Sequence, residues 1–146
     1  MLEFYQDILI DLDALELASY FLRQISLVSS EINSLDLFEL LKQSLHNLNL
    51  NSSNPDKKQF IAVYFQINLS RICGEELNMF FDRDNQRLRA DYTYDWDDFD
   101  KVLVKNPTGS GNIDQNVIKV LRLILTTPLS VVLKIQNIHQ YLPSTL

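Results

Sequence analysis

The hydrophobic period changes twice along this chain, and that change limits the folds open to it. From residue 3 to residue 48 the apolar side chains recur at helical spacing. Tyr5, Ile8, Leu9, Leu12 and Leu15 form one set, and Ala18, Phe21, Leu22, Ile25 and Val28 continue it. Asp13-Ala-Leu-Glu16 has capping-box spacing, which allows a break into two helices near Asp11–Asp13. Ser34 reads as the N-cap of a further helix ending at Leu48, with Leu37, Phe38, Leu41, Leu45 and Leu48 as its buried stripe. Asn49–Lys58 is a polar loop with one proline.

Residues 59–95 read as strand. Gln59–Leu69 sets Ile61, Val63, Phe65, Ile67 and Leu69 on one face and Phe60, Ala62 and Tyr64 on the other. Glu76–Phe81 gives a second strand, with Leu77, Met79 and Phe81 facing inward, and Asp82-Arg83-Asp84-Asn85 a turn. In the third strand, from Gln86, the residues Leu88, Ala90, Tyr92 and Tyr94 alternate with Arg87, Arg89, Asp91 and Thr93. The short connections favour antiparallel pairing.

Residues 99–104 fit either helix or strand. Helical spacing returns over 113–142, through Val117, Ile118, Leu121, Ile124 and Leu125. Asn112-Ile-Asp-Gln115 has capping-box spacing. Thr127-Pro128 reads as the N-cap and N1 of a last helix, Leu129–Leu142, stopped by Pro143. Its β-branched start also fits a strand. The expected architecture is a single α+β domain over 1–146, with an antiparallel three-stranded meander (59–95) packed against N-terminal (3–48) and C-terminal (113–142) helices. A chain of 146 residues is long enough for one full core.

The net charge is −6 and the isoelectric point near 4.8. That balance disfavours nucleic acid and anionic membrane surfaces, which are met by Lys and Arg. It suits a basic protein partner and leaves a homodimer open. Cys73 is the only cysteine, which fits a reducing compartment and a cytoplasmic location. The N-terminus lacks the pattern of a signal peptide, and no apolar run approaches the length of a membrane span.

The chemistry concentrates in Gln86–Asp100. Asp91, Asp95, Asp97, Asp98 and Asp100 crowd around Tyr92, Tyr94, Trp96 and Phe99, and no basic residue lies between Ala90 and Asp100. Like charges at this spacing repel, so a cation or a basic partner is expected to meet them. Asp91, Tyr94, Asp95, Trp96, Asp97, Asp98 and Asp100 are therefore the candidate partner-binding residues, with the aromatics as anchors and the carboxylates as selectors. A solvated acidic loop over core aromatics is the bland alternative. Asp95-Trp96-Asp97 could hold Mg²⁺ or Ca²⁺, but the spacing matches no specific metal loop, so no metal and no cofactor are assigned. His46, His139 and Cys73 lack partners at useful spacing, and Gly109-Ser110-Gly111 lacks the lysine of a phosphate loop. No catalytic residues are assigned and an enzyme is not expected.

Leu77–Phe99 resembles the strand–turn–strand and aromatic-acidic region of the YezG-type immunity proteins. The matching residues are Phe80, Phe81 and Asp82, then Tyr92, Asp95 and Trp96. The resemblance implies a small acidic immunity protein, or antitoxin, that blocks a nuclease toxin through an acidic, aromatic surface. An acidic secretion chaperone or adaptor is the alternative, and an aspartate-based metal-dependent enzyme a third reading.

Overall fold

The computed structural model describes residues 5–32, 34–75 and 77–142. The chain is mostly helical. Its elements are α1 (Gln6–Leu9), α2 (Leu12–Ser29), α3 (Leu35–Leu50), α4 (Pro55–Ile72), β1 (Tyr94–Asp97), β2 (Val102–Lys105), α5 (Gln115–Thr126), α6 (Leu129–Val132) and a 3₁₀ turn (Ile138–Tyr141). The sheet is one antiparallel pair, β1 with β2, with Tyr94 opposite Lys105 and Asp97 opposite Val102. Among the described residues the expected three-stranded meander is not formed.

The N-terminal helices follow local rules. Asp11 caps α2, its carboxylate accepting from the Ala14 N–H at 2.9 Å, so the break falls at the acidic turn. Ser34 caps α3 through the Asp36 N–H. The segment expected as the first strand is α4. Asn54 accepts from the Lys57 N–H, and Pro55 fills the first helical position, where its fixed φ is already suitable. The buried residues Phe60, Ile61, Tyr64, Phe65, Ile67 and Asn68 follow a helical period. Helix α4 touches α2, α3, α5 and the 3₁₀ turn. A helix covered on so many sides is apolar nearly all round, which is why its sequence also alternates. At its centre the Phe65 and Phe21 rings stack with centroids 4.3 Å apart.

The other two expected strands shrink to isolated pairings. Phe81 bridges Arg87 around a turn in which the Asp82 carboxylate accepts from the Asp84 and Gln86 N–H groups, and Asn85 has φ +58°. Position 76, where the second strand is expected to begin, lies outside the described residues. Residues 102–105, open between helix and strand, form β2. Asp114, two residues past the expected capping-box start, caps α5. The expected long final helix ends after one turn and gives way to turns through Asn137 (φ +58°); its β-branched start is a weak helix former. The expected stop at Pro143 lies outside the described residues. No helix among the described residues is long and apolar enough to cross a membrane.

Polar side chains of the central helices close the ends of other helices. Asn49 of α3 accepts from the Asp7 and Ile8 N–H groups at the start of α1. Gln43 of α3 accepts from the Leu129 N–H at the start of α6. From α4, the buried Asn68 donates to the Ile124 carbonyl at 3.0 Å, and the Tyr64 hydroxyl donates to the Thr127 carbonyl at 3.0 Å. Both carbonyls lie at the end of α5, where the helix itself offers no donor. Burial pushes the Tyr64 hydroxyl up from its usual pKa, so it stays protonated and able to donate. Asn68→Ala should destabilise the fold by about 1–3 kcal/mol and Tyr64→Phe by about 1 kcal/mol, read by chemical denaturation.

Lys58 is buried, with 9 % of its side chain exposed, and its ammonium reaches the Asp11 carboxylate at 3.1 Å. The Ala14 N–H, then Lys58, hold the Asp11 carboxyl below its usual pKa. Such a group stabilises the fold above the ordinary carboxylate range and loses that contribution as pH falls through its folded pKa. Asp11→Asn keeps the cap acceptor but leaves Lys58 without a counter-charge. We expect this variant to melt lower than wild type at neutral pH. The gap should narrow as pH drops below about 4, followed by thermal melts across pH.

Candidate functional site

The β1–β2 hairpin and the segment before it carry the acidic, aromatic stretch, and two distinct surfaces result. The first is the hairpin turn. Asp97 accepts from the Phe99 and Asp100 N–H groups at 2.9 and 3.0 Å. Arg83, from the preceding loop, pairs with both Asp97 and Asp100. Lys101 pairs with Asp98 at 2.7 Å, and this bond holds the Asp98 carboxyl below the usual range. Asp91 is met by Arg89, whose Nε and Nη2 donate to its two oxygens at 3.0 and 2.9 Å. That pairing lowers the Asp91 carboxyl and raises the Arg89 guanidinium. Asp95 accepts from the Asn106 side chain. Most of the cations missing from 90–100 in sequence are thus supplied by flanking segments, while Asp95 is met by a neutral amide.

The aromatics divide. Tyr94 is 1 % exposed, and its hydroxyl accepts from the Arg89 N–H, so it packs in the core. Its backbone pairs with β2 on one side and with Ile113 on the other. Gly111 lies so close that a Cβ there would meet the Tyr94 carbonyl oxygen at 2.5 Å. Trp96 is half-buried and forms one wall of a groove of about 140 Å³ with Val63, Ile67 and Leu77. Of the candidate residues, Asp97, Asp98 and Asp100 gather at the turn. Asp91 and Asp95 sit with other partners.

The second surface is cationic. Leu88, Arg89 and Ala90 face Ile118, Lys119 and Arg122 of α5 across a cavity of about 180 Å³. Beside it the Tyr92 ring is held between Lys105, 3.7 Å from its centroid, and Arg89, at 4.7 Å. Arg122 lies 4.9 Å from the Phe80 ring, which is 54 % exposed. Arg122 Nε and Nη2 both donate to the Met79 carbonyl, pinning the loop to α5. Among the described residues Lys105 and Lys119 join no ion pair. These cations come from distant parts of the sequence, so no run of basic residues announces them. The spacing of Lys119 and Arg122, three apart on a helix, was the available signal. Among the described residues no three of His, Cys, Asp and Glu are placed to hold a metal ion.

Fold and site together define a small helical domain bearing a short hairpin and a cationic, aromatic face. A family model described as Recombination protein O C terminal matches residues 10–140, and the chain belongs to this family. No curated protein and no solved structure matched.

The match overturns the resemblance to YezG-type immunity proteins, which rests on a few residues of one segment. There Phe80, Phe81 and Asp82 lie in a loop rather than along a strand. The toxin-blocking reading falls with it, and the match supports neither the chaperone nor the metal-enzyme alternative. The exclusion of nucleic acid, drawn from net charge, is overturned as well, because the family is one of recombination. Net charge sums the whole surface, whereas phosphate responds to the local field.

Arg122→Met removes both donors from the Met79 carbonyl, a charge-assisted contact. We expect a loss of about 1.5–3 kcal/mol. Amide exchange should quicken in residues 80–92, because that loop is then no longer tied to α5.

Proposed function

We propose that this chain acts in DNA recombination or repair as a binding module rather than a catalyst, holding nucleic-acid phosphates against the cationic face. The observation that carries the reading is the family match over residues 10–140. The face adds a chemical rationale. Among the described residues Lys119 and Lys105 join no close ion pair, although Lys105 lies near enough to Asp91 to favour its charged form, and Arg89 and Arg122 flank them. Phosphate oxygens accept from such groups, and displaced counterions make the binding steeply dependent on salt. The acidic remainder of the surface disfavours other approaches and so orients the strand.

Fluorescence anisotropy with a labelled single-stranded oligonucleotide tests this across salt concentrations. Wild type should bind at low salt and release as salt rises. Lys119→Gln should weaken binding and lower the slope of log affinity against log salt by about 0.7, the share of one phosphate that is no longer neutralised. A wild-type chain that ignores the oligonucleotide at low salt, or a Lys119 variant with unchanged slope, would reject this face.

A further inference from the structure

We infer that the tip of the β1–β2 hairpin is a plug for the cationic cavity of a second copy of this chain. Phe99 sits at the tip and is 94 % exposed. Its turn is built to hold it there. The Asp97 carboxylate accepts from the N–H groups of Phe99 and Asp100, Arg83 clamps Asp97 to Asp100, and Lys101, at φ +56°, reaches back to Asp98. An aromatic presented on a fixed turn loses little freedom on docking, and such residues act as interface anchors.

The flanks define the partner's chemistry. Asp98 and Asp100 stand beside the ring, their side chains 83 % and 54 % exposed. A matching site is an apolar hollow with a cationic rim. The chain carries one in the cavity of about 180 Å³, walled by Leu88, Ala90 and Ile118 and rimmed by Arg89, Lys119 and Arg122. Asp98 and Lys101 of the tip line the separate groove on α4, and no residue lines both hollows. Plug and socket are therefore different patches of one molecule, and their union is head-to-tail between copies. Such a contact leaves one free plug and one free socket, so it extends until it closes on itself. One ring and its charged rim form a small interface, so the association is weak and falls with salt. The inference stands on this geometry and does not require the nucleic-acid reading, although both use Lys119.

Sedimentation equilibrium over a wide concentration range tests it. Wild type should gain mass with concentration and lose it with added salt. Phe99→Ala and Lys119→Glu should each weaken association about tenfold or more. An equimolar mixture of the two variants is the decisive arm. One keeps its socket and the other its plug, so the mixture should form a 1:1 complex that grows no further. Phe99→Ala should still bind the oligonucleotide as wild type does. A wild-type chain that stays monomeric to its solubility limit would overturn the inference while leaving the nucleic-acid reading intact. So would a Phe99→Ala variant that associates like wild type, or a variant mixture that remains monomeric.

Discussion

Helix α5 ends on carbonyls that point inward, and α4 supplies the donors that meet them. The Asn68 amide to Ile124 and the Tyr64 hydroxyl to Thr127 join two helices that each bury a full apolar face in the core. A buried carbonyl without a donor is costly, so this pairing fixes the height of α5 against α4. The rest of the cationic face follows from that placement. Arg122 and Lys119 project from α5, and Arg122 in turn anchors the loop at Met79 that leads into the segment carrying Arg89 and Tyr92.

The distribution of charge follows a similar logic. Folding pairs most of the hairpin's aspartates with arginines and lysines from neighbouring segments, so the acidic stretch becomes a braced turn. Lys105 and Lys119, which join no ion pair among the described residues, lie where aromatic and aliphatic side chains are also available. A chain of net charge −6 can therefore present a local surface suited to phosphate. The acidic tip bearing Phe99 and the cationic cavity are separate patches, with no lining residue in common.

Much of the helical framework is legible in the sequence. Asp11 and Ser34 mark real boundaries because their side chains cap through neighbours in sequence, whereas the expected Thr127 cap falls one position off: Thr127 closes α5, and Pro128 stands at the N-cap of α6 without a side-chain cap bond. Helix α4 reads as a strand because a helix buried on several sides satisfies both periods at once. Asn54-Pro55, which has the composition of a loop, is its N-cap and first helical position. The alternation from Gln86 to Tyr94 is real as a pattern but lacks an edge to pair with; beyond the single Phe81–Arg87 bridge the ladder begins only at Tyr94. At the site, the acidic residues are visible in the sequence and their partners are not. Arg83 lies outside the stretch, Arg89 lies within it without its pairing to Asp91 being evident, and Lys105, Lys119 and Arg122 meet it only through tertiary structure. Tyr94 reads either as a partner anchor or as a core aromatic, and the structure buries it, with Gly111 and Ile113 closing over its backbone.

The capping of one helix by another also sets an order of assembly. Helix α1 is a single turn, and one turn does not persist alone. Its N–H groups are met by Asn49, some forty residues further along the chain. During synthesis α1 emerges before the end of α3 that supplies its acceptor. The same holds in reverse for α6, which is capped by Gln43 of α3 and can form as soon as it emerges, because its acceptor is already in place. The amino end of this domain is thus made early and fixed late, whereas the carboxyl end docks on a surface already built.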